Sequence, residues 1–356
     1  MKKDYPLKVG IAGFGVVGKR RRQFIDQHPS MRTTAVCDQK FEGSGTMPDG
    51  VKFYTNYKEL LKEQLDVLFV CLPNYLAADV TIAGLEKSMH VFCEKPPGRN
   101  IEDILRVIEV EKRNPGLVLK YGFNHRYHDS VREAMRIVNS GELGEVVNLR
   151  GVYGKSKIIP FEGGWRAERK YSGGGILLDQ GIHMVDLMGL FCGDFRDIKS
   201  YVSNDYWNHD VEDNAFAIMK DEKGRIAMLH SSATQWEHKF SLDIALSEGY
   251  LELAGILSGS KSYGQEKLTI GKRSEAAVGT MQEETLTYLE DNSWRDEIYE
   301  FAGAVTNGTG IEHGTSEEAL KTMRVVYRIY YADKAWRKAY DIADPDAIET
   351  TIKGAK

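Results

Sequence analysis

Positive charge is not in surplus in this chain: 47 lysines and arginines against 52 acidic residues leave a formal net charge of −5. Without a basic excess nothing drives binding to a phosphate backbone or an anionic bilayer, so nucleic acid and membrane are not expected partners. No run approaches eighteen apolar residues, the length that would suggest a membrane-spanning helix. Met1 to Pro6 lead into the first strand without the apolar segment of a secretory signal, which predicts a cytoplasmic protein. Cysteine is scarce: residues 37, 71, 93 and 192 have no metal-ligand spacing and are expected to be reduced and structural. His125 and His128 lack the carboxylates or thiols that would complete a site, so no metal is expected. What is present, 42% hydrophobic and 28% charged residues over 356 positions, suits two globular domains.

The first half alternates apolar strands with helices. Leu7 to Ala12 runs directly into Gly13-Phe14-Gly15-Val16-Val17-Gly18, which opens a helix through Phe24 and Ile25. In that context the first glycine permits a tight turn, the second lets backbone approach a pyrophosphate, and the third allows close helix–strand packing. A second strand, Thr33 to Cys37, ends at Asp38, 20 residues past Gly18, where an acidic side chain would bind ribose hydroxyls. The Asp38 carboxylate repels a 2′-phosphate, so NAD is favoured over NADP, although Lys40 leaves a phosphate partner nearby. Arg20-Arg21-Arg22 reads as a solvated face of this helix rather than an export signal.

Further strands are expected at Asp66 to Leu72, His90 to Cys93 and Leu117 to Phe123, with helices near Tyr75 to Lys87 and Ile101 to Arg113. Ligands of open parallel sheets lie beyond the carboxyl ends of the strands. Cys71, Pro73, Asn74, Glu94, Lys95 and Asn124 fall on that rim and are candidate cofactor contacts. The expected division is a dinucleotide-binding domain over 1–125 and a substrate-binding and oligomerisation domain over 126–356. In the latter, strands at Val146 to Tyr153, Ala215 to Lys220, Ile226 to Ala233, Phe240 to Leu246 and Tyr250 to Leu253 predict an open, mainly antiparallel sheet. Asn208 to Asp213 reads as a solvated loop, and Leu257 to Ser262 as an exposed hairpin loop. Helices are expected near Trp294 to Thr306 and from Ser316 to Lys338.

Within the second half, Gly173-Gly174-Gly175 feeds a helix from about Ile176 to Leu190 in which Asp179 and His183 are four apart, near one face. A carboxylate beside an imidazole fixes its tautomer and raises its basicity, which suits a group that takes a proton from a hydroxyl. Arg126, Tyr153, Trp165, Arg166 and Trp236 offer polar groups and aromatic faces that could line a substrate pocket.

The glycine fingerprint, Pro73-Asn74, Glu94-Lys95-Pro96, Trp165-Arg166 and the Gly173 to His183 segment together resemble the glucose-fructose oxidoreductase / inositol dehydrogenase (Gfo/Idh/MocA) family over nearly the whole chain. The resemblance implies an N-terminal Rossmann domain and a C-terminal α/β domain whose sheet builds homo-oligomers. It also implies hydride transfer between a nicotinamide and a secondary hydroxyl or ketone of a sugar, sugar-nucleotide or cyclitol. Lys95, Asp179 and His183 match the family's catalytic lysine, aspartate and histidine, and either Lys95 or His183 could be the base. The family often has histidine shortly after Pro-Asn, where this chain reads Tyr75-Leu76-Ala77. An NAD-using glycosidase with transient oxidation and a catalytically silent cofactor sensor are the alternatives on the same scaffold.

Overall fold

The structure, a computed structural model, describes residues 6–159, 163–258, 262–274 and 279–348. Residues 259–261 of the expected Leu257 to Ser262 hairpin loop lie outside that set. The chain forms two compact units, Met1–Asn124 with Trp294–Leu320, and His125–Ser293 with Lys321–Lys356.

The first unit comprises β1 (Leu7–Ala12), α1 (Val16–Gln27), β2 (Met31–Cys37), β3 (Gly45–Thr46), β4 (Lys52–Tyr54), α2 (Tyr57–Leu60), β5 (Val67–Val70), α3 (Asn74–Glu86), β6 (His90–Glu94), α4 (Ile101–Arg113) and β7 (Leu119–Gly122). The sheet order is β3-β4-β2-β1-β5-β6-β7, parallel except for the β3–β4 pair. Val67-Leu68-Phe69-Val70 is buried at every position, as a strand covered on both faces must be. α4 begins where the Asn100 side chain accepts the Asp103 amide, and it carries acids in its first turn and bases in its last, matching the helix dipole.

This Rossmann layer draws on the chain's far end. Phe69 and Phe92 stack at 4.8 Å, and Phe301 meets both edge-on at 5.7 and 5.6 Å. Ile298, Phe301 and Ala302 of α8 (Ser293–Asn307) thereby join Val9, Ile11 and Val67 in one core. The division at 125/126 placed 294–320 with the second half, but these residues pack with the first because their apolar stripe covers its sheet.

The second unit holds α5 (Asp129–Ser140), β8 (Val146–Ser156), α6 (Arg169–Ser172), a π-helical turn (Leu177–Gly181) continuing into α7 (Ile182–Cys192), then β9 (Phe195–Ser203), β10 (Asn214–Asp221), β11 (Ile226–Gln235), β12 (Lys239–Leu246), β13 (Gly249–Ala254), β14 (Glu266–Arg273) and β15 (Met281–Tyr288). Its eight strands run β15-β14-β13-β12-β8-β11-β10-β9, antiparallel except for the β8–β11 pair. The five expected strands appear, together with β9, β14 (Glu266–Arg273) and β15, whose charged sequences hid them. The Arg169–Cys192 stretch is apolar and long enough to cross a membrane by composition alone, yet 78% of its most apolar window is buried inside the chain, as in a core helix. The helix expected to run to Lys338 ends as α9 (Ser316–Ala332); the Asp333 side chain then accepts the Ala335 and Trp336 amides and caps α10 (Lys334–Ala339).

Arg21 corrects the solvated reading of the arginine run. It is wholly buried, its Nε donating to Glu94 at 2.6 Å and its Nη2 lying 2.7 Å from Glu297 Oε2. Burial pushes the Glu297 carboxyl up to about 7, against the opposing pull of Arg21 and Lys120. Between its ordinary range and about 7, the folded chain keeps a proton that the unfolded chain has released, so this group's stabilisation is lost as pH rises through that window. Glu297→Gln is therefore expected to raise Tm relative to wild type above about pH 7 and to leave a smaller difference near about pH 5, as read by thermal unfolding across a pH series.

Candidate functional site

In the first unit, the three fingerprint glycines do three separable jobs. Gly13 sits at φ +94°, and a Cβ there would lie 2.2 Å from the Cys71 carbonyl oxygen. A Cβ on Gly18 would lie 2.0 Å from the Gly13 carbonyl oxygen, so helix and loop can close only over a bare backbone. A Cβ on Gly15 would meet nothing within 4 Å. The loop is thus tight where it touches protein and open at the α1 N-terminus, where no side chain caps the helix and Val16 is 87% exposed. That is the shape and polarity a pyrophosphate needs. Phe14 and Val17 of the loop are half-buried.

Asp38 stands at the end of β2. Its two carboxylate oxygens accept the Phe14 and Lys40 amides, each at 3.0 Å, which fixes the carboxylate beside the glycine loop. On the strand rim, Cys71 donates its amide to the Ala12 carbonyl at 2.7 Å, and Pro73 precedes α3, where Asn74 is buried. Lys95 is half-buried and immediately follows Glu94, the last residue of β6; Asn124 is buried at the start of a short 3₁₀ turn. Glu94, expected at the cofactor, has a carboxylate oxygen committed to buried Arg21.

In the second unit, the expected α-helical spacing of Asp179 and His183 is modified. Leu177–Gly181 forms a π-turn, so the two residues lie across a widened turn, a feature that recurs at functional sites. The turn has an anchor that sequence reading assigned to a solvated loop. Glu212 is 2% exposed; its carboxylate accepts the Gly175 amide at 2.8 Å, the Leu177 amide at 3.0 Å and the Tyr330 hydroxyl at 2.6 Å. Asp213 beside it is likewise buried and accepts the Tyr206 and Trp207 amides at 2.8 and 3.0 Å. Amides of a helix start draw Glu212 inward and amides of a turn draw Asp213 inward, which corrects the solvated expectation for these two residues, while Asn208 and Asp210 of the same loop are exposed as expected. Gly175 allows this approach, since a Cβ there would lie 2.0 Å from the Glu212 carbonyl oxygen. On the sheet side, Gly151 of β8 leaves room for Met184 and Met188 of α7.

His183 is 5% exposed, and its ring is stacked on His125 with centroids 3.7 Å apart and planes 13° off parallel. His125 Nε2 lies 3.1 Å from the Tyr153 hydroxyl, and Tyr263 donates to Gln180 Oε1 at 2.7 Å. The Tyr153 and Tyr263 rings meet at 5.2 Å. Burial, then the neighbouring Tyr263 phenol and the Asp179 charge, push the Tyr153 phenol well above its ordinary range; burial also raises Tyr263. Both phenols therefore stay protonated at neutral pH and are available as hydrogen-bonding groups. Asp179 is part-exposed, with Arg166 Nε 4.0 Å from its Oδ2; Arg166 also lies over the Trp165 ring at 4.3 Å.

Two candidates are placed differently from expectation. Arg126 is forked onto Asp186 by two 2.7 Å hydrogen bonds, and Thr322 donates to the same carboxylate at 3.1 Å, so its fork is spent inside the core rather than offered to a substrate. Trp236 is 69% exposed, with Lys157 Nζ 3.8 Å from its ring centroid. Conversely, His125, Gln180, Tyr263 and Glu212 were not singled out as site residues. Gln180 alone had a local signal, its adjacency to Asp179; the others arrive through pairings 35 to 118 residues long in sequence or through ring stacking.

A dinucleotide fingerprint in a parallel sheet, followed by a helix-bearing open sheet, defines a two-domain architecture with a Rossmann first half. The chain belongs to the Gfo/Idh/MocA oxidoreductase family: residues 7–122 match its "Oxidoreductase family, NAD-binding Rossmann fold" model and 131–252 its C-terminal domain model. An inositol 2-dehydrogenase of Salmonella typhimurium is 28% identical over 202 residues, 55% of this chain and 57% of that relative. The chain thus aligns with little more than half the length of that relative. Among solved structures, a levoglucosan dehydrogenase in complex with NADH superposes with a TM-score of 0.80 at 16% identity, covering 93% of this chain and 98% of the other. A 3-ketoreductase from Actinomadura kijaniata in complex with NADP and TDP-benzene gives 0.76 at 22%, covering 90% and 96%. These likenesses support the fold.

Glu212→Gln keeps the shape but weakens acceptance of the helix amides, and Glu212→Ala removes it. Losses of about 1 and about 3 kcal/mol respectively are expected in equilibrium denaturation. A loss within about 0.3 kcal/mol for both would show that the amides do not depend on this carboxylate.

Proposed function

We propose that this chain is an NAD-dependent dehydrogenase or ketoreductase acting on a secondary hydroxyl or ketone of a sugar, sugar-nucleotide or cyclitol. The observation that carries this reading is an anchored π-turn that bears Asp179 and leads directly into the helix bearing His183, in a chain whose other unit keeps an open, uncapped glycine loop. His183 takes the proton from the substrate hydroxyl as hydride leaves the same carbon. Asp179 favours the imidazolium that forms, and Lys95 stabilises the developing alkoxide. NAD supplies the hydride acceptor. Gly13, Phe14, Gly15, Val16, Val17 and Gly18 would receive its pyrophosphate at the α1 N-terminus, and Asp38 its ribose hydroxyls.

Asp38 supports NAD over NADP because a fixed carboxylate opposes a 2′-phosphate, and Lys40 reaches that carboxylate through its backbone amide. Tyr153, Trp165 and Arg166 are proposed to contact substrate. The outward row Tyr201, Phe216, Ile218 and Met228 on neighbouring strands β9, β10 and β11 supports a homo-oligomer built on this sheet face. Replacing Phe216 and Ile218 by glutamate is expected to give monomers in size-exclusion chromatography.

A sugar and cyclitol panel with NAD and NADP tests the reading. His183→Asn and Lys95→Met are each expected to lower kcat/KM by about 100-fold or more, and only His183→Asn should abolish the acid limb of the pH–rate profile. An acid limb that vanishes in Lys95→Met instead would transfer the role of base to Lys95. Equal use of NADP would overturn the Asp38 assignment, and substrate cleavage without NADH accumulation would favour a glycosidase.

A further inference from the structure

Arg21 and Glu297 are buried ionised or ionisable groups for which the proposed chemistry has no use. Arg21 projects from α1, the helix that opens at the glycine loop, and its guanidinium lies between the Phe92 and Trp294 rings at 4.5 and 4.3 Å. Its Nε makes an aligned 2.6 Å hydrogen bond to Glu94 Oε1. Nη2 is as close to Glu297 Oε2, at 2.7 Å, but that contact is not an aligned hydrogen bond, and Nη1 has no hydrogen-bond partner among the described residues. Gly122, at the end of β7, makes space for the pair: a Cβ there would lie 3.0 Å from Glu94 Oε2 and 3.1 Å from Arg21 Nη2. Two carboxylates thus compete for one guanidinium, and one of them belongs to the residue immediately before Lys95.

We propose that Arg21 is a positioning residue for Lys95, tying α1 to the Glu94 carboxylate at the end of β6, and that Glu297 competes with Glu94 for this guanidinium when it is ionised. The inference rests on the proposed role of Lys95 at a nicotinamide. Charge balance supports it. The groups facing one another here are Arg21 on α1, the Cys71 thiol after β5, Glu94 on β6, Lys120 on β7, and Glu297 and Glu300 on α8. Lys120 is buried and pairs with Glu300 at 3.2 Å. With Glu297 neutral the two cations match the two remaining carboxylates, whereas an ionised Glu297 adds an uncompensated charge to a dry site. Burial holds its carboxyl up at about 7, so both states occur near neutral pH. Below that pH Arg21 belongs to Glu94 and holds the Glu94-Lys95 corner; above it, Glu297 draws on the same guanidinium and the corner loosens.

NADH and ADP-ribose binding to the full chain tests this, because ADP-ribose lacks the nicotinamide that Lys95 is proposed to meet. For wild type, the NADH Kd is expected to rise about fivefold or more between about pH 6 and about pH 8.5, with a midpoint near 7, while the ADP-ribose Kd stays constant. Glu297→Gln should hold the tighter NADH value at both pH values. Arg21→Lys, if it folds by circular dichroism, should show the weaker value at both. A pH-independent NADH Kd in wild type, or a pH response retained by Glu297→Gln, would overturn the inference even if Arg21→Lys is unfolded. An equal response with ADP-ribose would also overturn it, by placing the effect at the glycine loop. Wild type that binds neither NADH nor NADPH at any pH would overturn the proposed function, and this inference with it.

Discussion

Backbone amides at a helix start, buried and without partners in their own helix, are the constraint around which the second unit is arranged. Glu212 answers them with both carboxylate oxygens, and this contact sets where the π-turn begins and where Asp179 and His183 emerge. Tyr330 donates to the same carboxylate, Gly175 clears the approach, and Ser231 on β11 donates to the Ile176 carbonyl at 3.2 Å. An uncompensated carboxylate there would be costly to bury, and unpaired amides would be costly to leave. Each removes the other's penalty.

The first unit follows the same economy with side-chain charges. Arg21 enters the core only because Glu94 and Glu297 meet it and two aromatic rings cover its faces. Its position ties the glycine-loop helix to the strand end that carries Lys95. The core beneath is completed by Phe301, 283 residues beyond Gly18 of the fingerprint, so the dinucleotide fold is finished only when the chain returns.

Much of this was legible in the chain itself. The fingerprint, Asp38, the buried run Val67 to Val70 and the alternation of β10 are short-range patterns, and local geometry obeyed them. Strands β14 and β15 were not legible, because Glu-Lys-Leu-Thr-Ile-Gly-Lys-Arg and Met-Gln-Glu-Glu-Thr-Leu-Thr-Tyr take their strand character from pairing with each other and with β13. Arg21 and Glu212 were misread for one reason: a charged residue is normally solvated, and only its distant partner can make burial tolerable.

By itself, then, the sequence determined the class of fold and the glycine loop with its acidic neighbour, since each needs only a few consecutive residues in regular geometry. Tertiary structure decided that the turn between Asp179 and His183 widens, that His125 stacks on His183, and that Arg126 turns inward to Asp186. Those outcomes depend on which polar groups find partners when water leaves, and the partners lie tens of residues away.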